Sequence, residues 1–104
     1  MKNISGFEFS SVIKSGKVVV IFYGTGCLNC KIMQSTFNEI ESTFPNVNFY
    51  KINADRYFNL MQMYRINSLP TMLLFRHGKM LPPIVGVKTL STLKTLINNS
   101  LNYA

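Results

Sequence analysis

The sequence has no apolar stretch long enough to cross a membrane and no recognisable leader. Its longest compact apolar run covers residues 18–23, whereas a membrane-spanning helix needs roughly 18 or more apolar residues. The first six residues lack the apolar core and the small-residue cleavage site of a secretory signal peptide. We therefore expect a cytoplasmic protein with no membrane partner.

Acidic side chains are scarce as well. Four acids stand against eleven Lys and Arg residues, which gives a formal net charge of +7. The basic residues form no run and do not alternate with aromatic residues as in nucleic-acid-binding motifs, so we expect a generally basic surface and no nucleic-acid partner. Such a surface favours acidic protein partners. Hydrophobic residues make up 47% of the 104 residues, which predicts one globular domain over residues 1–104.

Soft metal ligands are equally few: two cysteines, Cys27 and Cys30, and one histidine, His77. A structural zinc site takes four ligands, and His77 lies in a predicted hairpin turn. We therefore expect no metal site in a single chain. We also expect the protein to be a monomer. A metal or cluster shared between two chains stays an open alternative, as does a buried and unreactive cysteine pair.

Helical and strand patterns alternate along the chain, which predicts an α/β layer fold. Ser5 and Glu8 have the spacing of a capping box before the first helix. Residues 18–23 are β-branched and aromatic throughout, as in a strand buried on both faces. The predicted elements are helices over residues 7–14, about 27–44, 58–64 and about 90–101, and strands over residues 18–23, 47–52, 71–75 and 83–87, the last reached through a hairpin turn at residues 77–79.

The two cysteines lie in the sequence Cys27-Leu28-Asn29-Cys30, directly after a predicted strand and at the start of a predicted helix. A C-x-x-C motif near a βαβ pattern is a redox signature. One helical turn brings two Cα atoms within the roughly 4.4–6.8 Å that a disulfide requires. The helix N-terminus also stabilises a thiolate, and thiol pKa values fall from ~8.5 to roughly 3.5–7.5 in such motifs.

These properties predict a thiol–disulfide oxidoreductase with Cys27 and Cys30 as its catalytic residues. We expect Cys27 to be the more exposed and more acidic thiol, and to attack a substrate disulfide. Cys30, one turn further along the helix, then resolves the mixed disulfide and releases the reduced substrate.

Three segments resemble the thioredoxin family: residues 18–23 leading into the cysteine pair, Ser68-Leu69-Pro70-Thr71 before an apolar strand, and Val85-Gly86-Val87. The resemblance implies a thioredoxin fold, in which helices flank both faces of a central mixed sheet of four to five strands. It also implies a reductase of protein disulfides that binds no cofactor. Reducing equivalents would come from NADPH through a thioredoxin reductase or a similar donor.

The same resemblance assigns roles around the cysteine pair. It implies a cis peptide bond at Pro70, an isomer that X–Pro bonds adopt at little cost. It further implies that the backbone of Leu69 pairs with an extended substrate chain, and that Pro70 keeps metal ions away from the thiols. Gly26, Leu69, Pro70 and Gly86 are the implied substrate-binding residues.

The sequence also departs from the family pattern. It has no tryptophan, Gly26 stands where the family has tryptophan before the pair, and Leu28-Asn29 replaces Gly-Pro. Ile21 stands where the family has a buried acid, and Lys51 matches the lysine that accompanies that acid. Lys51 is therefore a candidate for tuning a thiol pKa, or else it extends to solvent. These changes keep two alternatives open: a specialised oxidant, isomerase or partner-restricted oxidoreductase, and a non-catalytic thioredoxin-like binding module.

Overall fold

The computed structural model describes residues 1–102. This part of the chain contains five strands and four helices. The strands are β1 (Lys2–Asn3), β2 (Lys17–Tyr23), β3 (Asn48–Asn53), β4 (Thr71–Arg76) and β5 (Lys79–Val85). The helices are α1 (Gly6–Val12), α2 (Leu28–Thr43), α3 (Phe58–Met63) and α4 (Leu90–Leu101). None of the helices within residues 1–102 is long and apolar enough to cross a membrane.

The five strands form one mixed sheet in the order β1-β3-β2-β4-β5. Strands β1 and β2 both run parallel to β3, whereas β4 runs antiparallel to β2 and to β5. The central position of β2 explains its continuous apolar sequence, because both of its faces are covered. The predicted mixed sheet of four to five strands is confirmed.

Helices pack on both faces of the sheet, as the resemblance implies. On one face, Val19 and Ile21 of β2 pack with the buried side chains of α2 and α4. On the other face, Val18, Val20 and Phe22 pack with α1 and with the partly buried side chains of α3. The alternation of side chains along a strand therefore divides the core into two layers.

Helix α1 begins at the predicted capping box. The Oγ of Ser5 accepts a hydrogen bond from the Glu8 backbone N–H at 3.0 Å, and the Glu8 carboxylate accepts one from the Ser5 backbone N–H at 3.1 Å. These bonds satisfy two of the N–H groups that a helix start leaves unpaired. The helix ends at Val12, so the predicted range of residues 7–14 was two residues too long at its C-terminal end.

Two strand predictions were wrong. Strand β1 was missed, because two exposed residues carry no detectable alternation; it pairs with β3, Lys2 opposite Tyr50. Strand β5 begins at Lys79 and not at residue 83. His77 and Gly78, both with positive φ, form a two-residue turn that joins β4 directly to β5. The prolines at positions 82 and 83 are tolerated because β5 is the edge strand.

Candidate active site

The cysteine pair lies where β2 ends and α2 begins. Cys27 is the N-cap residue of α2, and its Sγ accepts a hydrogen bond from the Cys30 backbone N–H at 3.1 Å. The two cysteines form a disulfide with their Cα atoms 5.3 Å apart, within the range that the helical spacing predicts. The N-terminal end of α2 therefore directs a backbone donor at the sulfur of Cys27.

The two sulfurs differ in accessibility. Cys27 is half-buried, whereas Cys30 is buried, with 9% of its surface exposed. The side chains next to them on α2, Leu28 and Ile32, are 70% and 56% exposed. Cys27 is therefore the more accessible sulfur of the pair, and two exposed apolar side chains lie nearby on α2.

The loop before β4 carries Leu69 and Pro70, and it brings Leu69 to the cysteine pair. The Leu69–Pro70 peptide bond is cis, as the resemblance implies. A Cβ at Gly24 would lie 3.0 Å from Leu69 Cδ1 and 3.7 Å from Cys27 Cβ, so both side chains border the same point above Gly24. The structure thus places Leu69 beside Cys27, with only a glycine between them.

The two predicted glycines have different surroundings. The Gly86 backbone N–H donates a hydrogen bond to the Pro70 carbonyl at 2.9 Å, and its φ of +86° is one that glycine adopts without strain. Gly26 is exposed, and apart from Gly26 and its two chain neighbours no atom of residues 1–102 lies within 4 Å of the position that a Cβ would take there. Gly86 therefore supports the proline loop, whereas Gly26 leaves the rim of the site open.

Comparison with known proteins places the chain among its relatives. The Thioredoxin family model matches residues 1–99. A thioredoxin of Chlamydia pneumoniae is 34% identical over 98 residues, which cover 94% of this chain and 96% of that protein. Mitochondrial thioredoxin-2 of Schizosaccharomyces pombe is 36% identical over 89 residues, 83% of this chain and 67% of that protein. The solved structure of Plasmodium falciparum thioredoxin superposes with a TM-score of 0.87 at 28% identity and covers 95% of this chain and 98% of that one.

The chain belongs to the thioredoxin family. The family, its relatives and the disulfide-forming pair together identify it as a thiol–disulfide oxidoreductase, an enzyme of the protein-disulfide reductase type. Neither a specialised oxidant or isomerase nor a non-catalytic binding module is favoured by these findings. Within residues 1–102, no group of three or more His, Cys, Asp and Glu side chains could hold a metal ion.

The departure from the family pattern at Ile21 changes the interior beside Cys30. Ile21 is 2% exposed and lies opposite Lys51 in the parallel pairing of β2 with β3. Both side chains line a cavity of about 410 Å³ that Cys30 also borders, and none of the lining residues within the described chain is acidic. The ammonium of Lys51 lies 5.8 Å from the centre of the Tyr23 ring, a cation–π distance. Lys51 therefore shares a cavity with Cys30 and has an aromatic ring as its neighbour.

Two residues of the site were not recognised from the sequence, Gly24 and Asp55. Asp55 follows β3, and its Oδ2 accepts a hydrogen bond from the Thr25 backbone N–H at 2.8 Å. That hydrogen bond lowers the pKa of the Asp55 carboxyl below its usual value. The Asp55 backbone N–H in turn donates to the Asn53 side chain at 2.9 Å, a local turn contact typical of asparagine. The Asn-x-Asp spacing is the one signal in the sequence that could have indicated this turn.

Proposed function

We propose that the chain reduces protein disulfides, with Cys27 as the attacking thiolate and Cys30 as the resolving thiol. The observation that carries this assignment is the difference between the two sulfurs. Cys27 is accessible and accepts a hydrogen bond from the helix start, whereas Cys30 is buried one turn further along α2. A donor directed at Cys27 stabilises its thiolate, and the thiolate is the nucleophile in disulfide exchange.

The reaction balances as a two-electron exchange. The Cys27 thiolate attacks one sulfur of the substrate disulfide, the substrate S–S bond breaks, and the departing thiolate takes a proton. Cys30 then loses its proton and attacks Sγ of Cys27, which releases the second substrate thiolate and leaves the Cys27–Cys30 disulfide. An external dithiol donor must return two electrons and two protons; we assign this step to NADPH acting through a thioredoxin reductase or a similar enzyme.

Substrate docking follows from the groups around Cys27. We assign substrate binding to Gly26, Leu69, Pro70 and Gly86, with backbone pairing at Leu69 as in β-strand addition. The position of the Leu69 side chain next to that of Cys27 supports this assignment. The exposed side chains of Val85 and Val87 extend the apolar surface beside Gly86.

We assign to Lys51 a role in stabilising a thiolate of the pair by its positive charge. The cavity that it shares with Cys30 supports this role. A Lys51→Met substitution is expected to raise the pKa of a thiol of the reduced protein, measured by thiolate absorbance against pH. Identical thiol pKa values in the variant and the wild type would exclude the electrostatic role.

We further propose that residues 1–104 act as one domain, as a monomer, in the cytoplasm and without nucleic-acid or membrane partners. The basic surface and the absence of a spanning helix in the described residues are compatible with this. Fractionation of the native host cells tests the location, and light scattering tests the monomer. A mitochondrial pool would contradict the assignment to the cytoplasm.

The experiment that tests the catalytic roles is a trapping assay. Reduced Cys30→Ser protein, mixed with a protein disulfide such as insulin, is expected to accumulate a mixed disulfide through Cys27, because no resolving thiol remains. The matched variant, Cys27→Ser, is expected to trap none, since Cys30 is buried. Mass spectrometry of non-reduced samples identifies the linked cysteine. A substrate linked through Cys30, or equal trapping by both variants, would overturn the assignment.

A further inference from the structure

Asp55 carries the carboxylate that lies closest to the cysteine pair, and no role is assigned to it above. Its Oδ1 would lie 3.5 Å from a Cβ at Gly24, and the Cβ of Cys27 would lie 3.7 Å from the same point. The carboxylate and Cys27 thus border one small space at the end of β2. The second oxygen, Oδ2, holds the backbone N–H of Thr25, two residues before Cys27, at 2.8 Å.

The other three acids of the chain lie elsewhere. Glu8 forms an ion pair with Lys2 at 2.9 Å, and Glu41 pairs with the N-terminal ammonium at 3.2 Å. Glu39 lies nine residues beyond Cys30 on α2, about 13 Å along a helix axis. Among the side chains of residues 1–102, Asp55 therefore carries the sole carboxylate placed at the cysteine pair.

Two cations lie near the pair on the surrounding elements. Lys31 on α2 and Lys51 on β3 line the cavity beside Cys30. These cations favour a thiolate, whereas the Asp55 carboxylate opposes it. Because the Thr25 hydrogen bond lowers the pKa of Asp55, the opposing charge is present throughout the neutral pH range.

We infer that Asp55 is a positioning residue with two separable effects: its hydrogen bond to Thr25 fixes the loop that carries Cys27, and its negative charge opposes ionisation of the Cys27 thiol. In this chain, which has isoleucine in place of the buried acid, Asp55 limits how far the surrounding cations acidify the nucleophile. Because the thiolate stabilises the reduced form, a less ionised Cys27 makes the reduced form less stable. The cysteine pair is then a stronger reductant. The inference rests on the proposed role of Cys27 as the nucleophile.

Two substitutions separate the two effects. Asp55→Asn removes the charge but keeps a carbonyl oxygen that accepts from Thr25. Asp55→Ala removes both the charge and the acceptor. The matched control is Glu39→Gln, which removes one negative charge from an exposed position on α2 far from the pair.

The first measurement is the pKa of Cys27 in the reduced proteins, from the pH dependence of its alkylation by iodoacetamide, with the modified residue identified by mass spectrometry. Two unit charges roughly 7 Å apart in water shift each other's pKa by about half a unit. We expect the pKa of Cys27 to fall by about that amount in Asp55→Asn and in Asp55→Ala, and to stay unchanged in Glu39→Gln. In a glutathione buffer at pH 8, the ratio of reduced to oxidised protein is expected to be about threefold higher in the two Asp55 variants than in the wild type.

The second measurement is hydrogen exchange of the Thr25 amide by NMR. Exchange is expected to accelerate in Asp55→Ala and to stay near the wild-type rate in Asp55→Asn. An unchanged pKa of Cys27 in both Asp55 variants, or an equal shift in Glu39→Gln, would overturn the electrostatic effect. Equal Thr25 exchange in wild type and Asp55→Ala would overturn the positioning effect. Neither measurement needs a substrate, so a failure of the trapping assay leaves both of them decisive.

Discussion

Replacement of Ile21 by the acid that the family has at this position tests how strongly the protein desolvates the wall of the cavity that Ile21 shares with Cys30 and Lys51. Ile21 is 2% exposed and packs within the layer formed by α2, α4 and the sheet. Truncation of a buried isoleucine to a short side chain costs about 2–5 kcal/mol, and we expect Ile21→Asp to lose a similar free energy of unfolding near pH 4, where the new carboxyl is neutral.

The free energy of unfolding of this variant is also expected to depend on pH. Burial raises the pKa of a carboxyl group, whereas the Lys51 ammonium in the same cavity lowers it. Because position 21 is only 2% exposed, we expect burial to dominate, so the folded variant retains its proton at pH values where the unfolded chain has lost it. The folded state then binds more protons than the unfolded state, and stability falls as pH rises through this window. The loss is about 1.4 kcal/mol for each unit by which the pKa is raised, and it is complete once the pH exceeds the folded-state pKa.

Ile21→Asn is the matched control, because its side chain has the same shape and does not titrate. Urea unfolding of both variants between pH 4 and pH 8 isolates the titration as the difference between their free energies of unfolding. Between pH 4 and pH 8, we expect the free energy of unfolding of Ile21→Asp to fall by at least 1 kcal/mol relative to that of Ile21→Asn. A difference independent of pH, or a free energy of unfolding equal to that of the wild type, would refute the view that position 21 is desolvated.

Three further predictions concern the loop and the helix start. Gly24→Ala is expected to lower stability by about 1 kcal/mol and to raise the KM for a protein disulfide, because its Cβ would lie 3.0 Å from a neighbouring side chain; Gly26→Ala, which has open space, should match wild type in urea unfolding. Asp55 is expected to contribute stability that is fully present above about pH 4 and is lost as the pH falls through its lowered pKa; acid unfolding followed by circular dichroism should show that Asp55→Asn lacks this component. Ser5→Ala is expected to cost about 1 kcal/mol in urea unfolding through loss of the helix cap, whereas Ser10→Ala, an exposed position within the same helix, should not; equal losses would contradict the capping argument.

The parts of the site that could be predicted from sequence are those with a local cause. The spacing of Cys27 and Cys30 after a buried strand determines where the sulfurs lie relative to a helix start, so the pair and its N-terminal donor follow from residues close together in the chain. The resemblance supplied the cis bond at Pro70. The buried faces of α2 and α4 could be predicted because apolar residues recur every three or four positions in both helices.

What could not be predicted depends on contacts between distant residues or on very short elements. Asp55 and Thr25 are 30 residues apart and meet only because β2 and β3 are neighbours in the sheet. Gly24 leaves room for the side chains of Leu69 and Cys27, which converge on it from separate loops, and no local pattern encodes that convergence. Strand β1, with two exposed residues, has too few side chains to show an alternating pattern.

The measurement that tests the central claim most directly is a single-turnover reaction between the fully reduced protein and excess insulin, without any other reductant. The account predicts that the wild-type chain reduces one substrate disulfide per molecule and ends with the Cys27–Cys30 disulfide, while reduced Cys27→Ser protein, with the buried Cys30 as its only thiol, reduces none. An intact substrate after reaction with the wild type, or equal reduction by Cys27→Ser, would contradict it.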